Sequence, residues 1–172
     1  MTVYVALLRA VNVGGTGKLP MAELKKIAEG LGFGSPRTFI ASGNLIFASG
    51  VTESEVRAGL EGKLAGYMGR HVPVMVRTAA EMAAVAAANP FPDAPGRRVL
   101  VTFLPGPPPT DALDHVRGRD GERLALGRRE IYVDYCGTLL GRSKLKIPAA
   151  VDGTARNMNT VAKLAELAQE AA

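Results

Sequence analysis

The chain has few of the residues that staple small folds or hold metals. Its 172 residues include one cysteine, Cys136, two histidines and no tryptophan. A single thiol can form neither an internal disulfide nor a sulfur-rich zinc site, so the sequence points to a reducing, cytoplasmic setting. His71 and His115 lie far apart without clustered acids or other thiols. A zinc site takes about four ligands, so no metal is expected, and no cofactor fingerprint is found either. Long apolar runs are missing as well. The first one ends at Leu8, too short for a secretory leader with its flanks or for a membrane span.

What is present reads as a globular α+β chain. Apolar residues make up 47% and charged residues 22%, the balance of a protein with a sizeable core. Residues 2–8 are apolar at both parities, the pattern of a central strand buried on two sides. After a Gly-rich loop, Pro20 opens a helix in which Met21, Leu24, Ala28 and Leu31 recur at helical spacing until Gly32. Thr38–Ala41 and Asn44–Ser49, with Ser42-Gly43 between them, read as a hairpin. Thr52-Glu53-Ser54-Glu55 is a capping box ahead of a helix whose expected stripe is Val56, Leu60, Leu64 and Tyr67. Val72, Val74 and Val76 make a fourth strand.

Residues 1–78 thus have the β-α-β-β-α-β order of a ferredoxin-like unit. A second capping box, Thr78 to Glu81, starts a short helix that Asn89-Pro90 ends. Residues 79–96, rich in proline toward their end, are the expected link to a second half. Residues 97–172 read β-α-β-β-α: a strand at 99–104, a short helix near 111–117, strands at 123–127 and 130–135, and a helix from about Thr154. This resembles the first half without its last strand, packed with it into one compact unit.

Parallel first and second strands bring the loop after the first and the hairpin after the second to one end of the sheet. Arg9, Asn12, Gly14, Gly15 and Lys18 are therefore expected beside Ser42 and Asn44. Backbone N–H groups next to a helix N-terminus, with two cations and two amides, would suit an anion. The structural alternative is a glycine-shaped turn satisfied by Asn12 and Asn44. Neither known nucleotide motif fits: Leu19 and Asn12 break the phosphate-loop pattern, and Pro20 stands where the dinucleotide fingerprint needs its third glycine.

Three stretches, Leu8-Arg9-Ala10-Val11-Asn12-Val13-Gly14-Gly15, Ser42-Gly43-Asn44-Leu45-Ile46-Phe47 and Gly153-Thr154-Ala155-Arg156-Asn157-Met158-Asn159-Thr160-Val161, resemble the signatures of a bacterial family, domain of unknown function 1697. The resemblance implies a small cytosolic α+β protein with a ferredoxin-like unit, and it implies no reaction.

The net charge is +5, and residues 137–163 hold most of it: Arg142, Lys144, Lys146, Arg156 and Lys163 against Asp152 alone. A solvated surface and a nucleic-acid contact both fit such a stretch. On the expected C-terminal helix, Arg156, Thr160 and Lys163 share an outer face beside Asn159. Arg156, Asn157 and Asn159 could then join the anion pocket, or Thr154 or Asn157 could cap the helix. Ser143 and Lys146 match a Ser-x-x-Lys spacing without its partner motifs. Cys136 has no identifiable base for nucleophilic chemistry. The basic–aromatic pattern of open-sheet RNA binders is missing from Asn44–Ser49. The leading expectation is a phosphorylated small molecule or nucleotide in the N-terminal pocket. Nucleic-acid binding through the basic segment and a purely interaction-based regulatory role are the alternatives.

Overall fold

A computed structural model describes residues 1–13, 17–137 and 142–172. They form two compact units, Met1–Ala83 with Lys163–Ala172, and Ala84–Ala162. Each carries a four-stranded antiparallel sheet, and with four α-helices among the described residues the class is α+β.

The first unit contains β1 (Thr2–Leu8), α1 (Met21–Gly30), β2 (Gly34–Thr38), β3 (Asn44–Ser49), α2 (Glu53–Met68) and β4 (Val74–Thr78), and α3 (Ala79–Ala87) begins in it. Its strand order, β2-β3-β1-β4, is that of a ferredoxin-like unit. β1 lies centrally, with Val5 opposite Ile46 of β3 and Arg77 of β4. Its residues from Val3 to Leu8 are all buried, as apolar character at both parities requires. Tyr4, Ala6 and Leu8 form one core with Leu24 and Ala28 of α1 and Val56, Leu60 and Leu64 of α2. Tyr67 does not complete the stripe as expected. It is 47% exposed, and Met68, four residues after Leu64, packs on the core instead. The capping box is formed: the Glu55 amide donates to Thr52 Oγ1, and the Thr52 amide to Glu55 Oε2. The first strand of the hairpin is Gly34–Thr38 rather than the expected Thr38–Ala41, so a longer turn, residues 39–43, joins it to β3.

The second unit holds β5 (Val99–Phe103), β6 (Arg123–Leu126), β7 (Glu130–Asp134) and β8 (Thr154–Asn157), and α4 (Met158–Ala171) begins in it. A 3₁₀ turn, Ala112–His115, replaces the expected helix near 111–117. Thr154–Asn157 is not the start of a helix but a strand on the edge of β5, with Arg156 opposite Val101. The free edge of β5 supplies the hydrogen-bonding partners, and the helix begins one residue beyond the strand.

With β8 in place, the second sheet reads β6-β7-β5-β8, the order of the first sheet with each strand advanced by four. The likeness extends to single residues. β4 and β8 each run straight into a helix. Each has a buried arginine one position before its last residue, Arg77 and Arg156, set opposite a valine of the central strand. Each guanidinium donates to the carbonyl of the preceding residue, Val76 or Ala155. The next residue, Thr78 or Asn157, then caps the helix through its side-chain oxygen.

Candidate functional site

Three segments of the first unit converge at the carboxyl end of β1. The Leu8 amide donates to the Gly43 carbonyl at 2.9 Å and the Arg9 amide to Pro73 at 3.0 Å. Asn12 ties the loop down: its Nδ2 donates to the carbonyls of Leu19 and Ala41, at 2.9 and 2.8 Å, and its Oδ1 accepts the Leu19 amide at 2.7 Å. Asn44 is fully buried, and its Nδ2 donates to the Phe39 carbonyl and Ser42 Oγ. The expected neighbours therefore meet. Both asparagine amide groups are spent inside the loops.

Arg9 is half-buried and Lys18 exposed. Arg70 joins them, its Nη2 donating to the Ala10 carbonyl at 2.8 Å. The sequence reading missed this arginine. The only signal for it was its place just ahead of the fourth strand, which the antiparallel pairing of β1 with β4 brings to the loop. None of the segments 9–18, 39–44 and 70–73 contains an acidic residue. The backbone here is strained: Ala10, Asn12 and Ile40 have φ of 53°, 58° and 53°, and a β-branched residue such as Ile40 rarely adopts that region. Gly14 and Gly15 lie outside the described residues.

The C-terminal candidates are placed differently from expectation. Arg156 is buried in β8 rather than set on a helix surface, and donates to Thr154 Oγ1 at 2.8 Å and to the Ala155 carbonyl at 2.9 Å. Burial pushes its pKa down to about 10, which leaves it cationic at neutral pH. Asn157 caps α4 by accepting the Thr160 amide at 2.9 Å. Asn159 presses its side chain on Gly96, where a Cβ would clash. Thr160 is buried, and Lys163 pairs with Glu166 at 3.1 Å. Arg142, Lys144 and Lys146 remain exposed.

Ser143 and Cys136 have structural partners. Ser143 Oγ donates to the buried Glu122 carboxylate at 2.8 Å. Cys136 Sγ donates to Asp134 Oδ2 at 3.4 Å. Asp134, fully buried, also accepts from Arg98 Nε at 2.8 Å, Arg123 Nη2 at 2.6 Å and the Cys136 amide at 2.9 Å. Burial alone would raise its pKa, but the bonds from Arg98, the Cys136 amide and Arg123 outweigh this and hold the carboxyl well below its ordinary range. Among the described residues, no group of three or more His, Cys, Asp or Glu side chains is placed to hold a metal. Among them, no helix is long and apolar enough to cross a membrane.

The fold defines a small α+β protein with two similar antiparallel sheets. The chain belongs to the family described as Protein of unknown function (DUF1697), whose model matches residues 1–132. The matched stretch includes the Arg9 loop and the Ser42–Asn44 turn. A solved structure, the conserved bacterial protein SP0830 from Streptococcus pneumoniae, is similar over 97% of this chain and 98% of its own, at 25% identity and a TM-score of 0.79. A search of curated proteins finds no match.

Proposed function

We propose that the protein binds a small phosphorylated molecule, a nucleotide or phosphosugar, at the carboxyl end of β1, in a cytoplasmic setting. The observation that carries this reading is the meeting of three acid-free segments that bring Arg9, Lys18 and Arg70 to one place. The three segments themselves carry no acidic residue, so positive charge gathers where they meet, and phosphate is the anion that arginine recognises best. The positive-φ residues at Ala10, Asn12 and Ile40 support the same reading, because strained backbone collects at ligand clamps. Asn12, Ser42 and Asn44 then serve as the frame rather than as ligand contacts.

The test is a thermal-shift panel of nucleotides and phosphosugars on the wild type and on an Arg9→Ala/Lys18→Ala variant. A ligand of this class should raise the wild-type melting temperature, and the variant should lose that response while keeping its own unliganded Tm. A flat wild-type panel, or an equal response in the variant, overturns the proposal.

A further inference from the structure

A second basic surface lies in the Ala84–Ala162 unit, assembled from two stretches far apart in sequence. Arg117 and Lys146 face each other across an antiparallel bridge, the Arg117 amide donating to the Lys146 carbonyl at 2.9 Å and the Lys146 amide to the Arg117 carbonyl at 2.8 Å. Residues paired in this way carry their side chains on the same face, and like charges directly opposite one another are unfavourable. Gly118 lets the two stretches come into contact: a Cβ there would clash with the Lys144 carbonyl oxygen.

From residue 142 to 148 exposure alternates, with Arg142, Lys144, Lys146 and Pro148 outward. Between them, Leu145 and Ile147 pack on the core of Leu104, Ile131 and Val133. Ser143, also inward, is held by the buried Glu122. A two-residue step along an extended chain is about 6.6 Å, comparable with the spacing of successive phosphates on a single nucleic-acid strand. Arg117, Arg142, Lys144 and Lys146 have no ion pair among the described residues; the acids in or beside these stretches are the exposed Asp114, Asp120 and Asp152, then Asp111, which pairs with His115, and the buried Glu122, which holds Ser143.

We propose that Arg117, Arg142, Lys144 and Lys146 form a binding track for the phosphate backbone of single-stranded nucleic acid. The arrangement keeps four cations that form no ion pair in register by packing Leu145 and Ile147 on the core, a cost in repulsion that an incoming polyanion relieves. No aromatic side chain is exposed along the track, so recognition is by phosphate and independent of base sequence. Arg156 and Lys163, which belong to the same basic stretch of sequence, take no part. This surface belongs to the Ala84–Ala162 unit and the Arg9 loop to the other, and its test does not depend on ligand binding at that loop.

Fluorescence anisotropy of a labelled oligodeoxythymidylate, titrated with protein between low and physiological salt, tests the proposal. Four phosphate contacts predict a slope of log Kobs against log salt of about −3 for a single strand, from about 0.7 per contact. Arg117→Gln/Lys144→Gln/Lys146→Gln should weaken binding and flatten the slope to about −0.7. Arg37→Gln/Lys63→Gln, which removes exposed charge from the other unit, should leave the slope unchanged. Circular dichroism establishes that both variants are folded. No binding by the wild type, an unchanged slope in the triple variant, or an equal loss in the control pair overturns the proposal. Tight binding of inorganic polyphosphate without binding of the oligonucleotide also overturns it.

Discussion

At Asp134 one carboxylate gathers two guanidiniums, a backbone amide and a thiol in a site with no water access of its own. Asp134→Asn should lower the unfolding free energy by about 3 kcal/mol near neutral pH. That is the low end for a broken buried pair, because Arg98 and Arg123 are 37% and 40% exposed and can rehydrate. The folded-state pKa is depressed, so the stabilisation is complete above the unfolded carboxyl's pKa and is lost as the pH falls through the folded value. Denaturant melts should therefore show the gap between wild type and variant constant above the unfolded carboxyl's pKa and narrowing progressively as the pH falls below it. Gly43 offers a second test. Its φ is +90°, and a Cβ would come within 2.7 Å of Val11 Cγ2 and 2.9 Å of Leu8 Cβ. Gly43→Ala should cost about 1–3 kcal/mol through overpacking, while Gly50→Ala, with nothing nearby and an ordinary φ, should stay close to wild type. Neither consequence could be read in the sequence. Asp134 sits in an apolar strand with its partners 11 and 36 residues away, and no periodicity marks such a cluster.

Among the elements, the helix starts were the most legible. The capping box at Thr52 is local chemistry, written in four consecutive residues, and it forms as read. Thr52→Ala should cost about 1 kcal/mol, and Asn157→Ala about the same at the start of α4, both measurable in urea melts. β8 was illegible for a physical reason. Its inward residues are Thr154 and Arg156, so no apolar alternation marks it, and its pairing is decided by the free edge of β5 some fifty residues earlier. Losing β8 also hid the identity of strand order in the two sheets. The Arg9 loop shows both outcomes together. Strand order correctly joined it to the Ser42–Asn44 turn, yet the roles of the asparagines depend on which carbonyls they reach, and only coordinates show that.

For the molecule as a whole, the net charge of +5 is less informative than its division. Basic residues gather at the end of the first sheet and along the 142–146 stretch, one cluster in each unit, while Arg77 and Arg156 are buried. Because the two clusters share no residue, independent behaviour is expected: Arg9→Ala/Lys18→Ala should leave oligonucleotide binding intact, and neutralising the track should leave any nucleotide-induced rise in Tm unchanged. The first unit also includes residues 163–172, which are made after every residue of the second. During synthesis at about 5–20 residues per second, the sheet that carries the Arg9 loop waits several seconds for its last segment. A fragment of residues 1–83 should accordingly exchange its amide protons faster than the same residues do in the intact chain. The basic loop emerges before any residue of the second unit, and the unit that holds it is finished only after that second unit is complete.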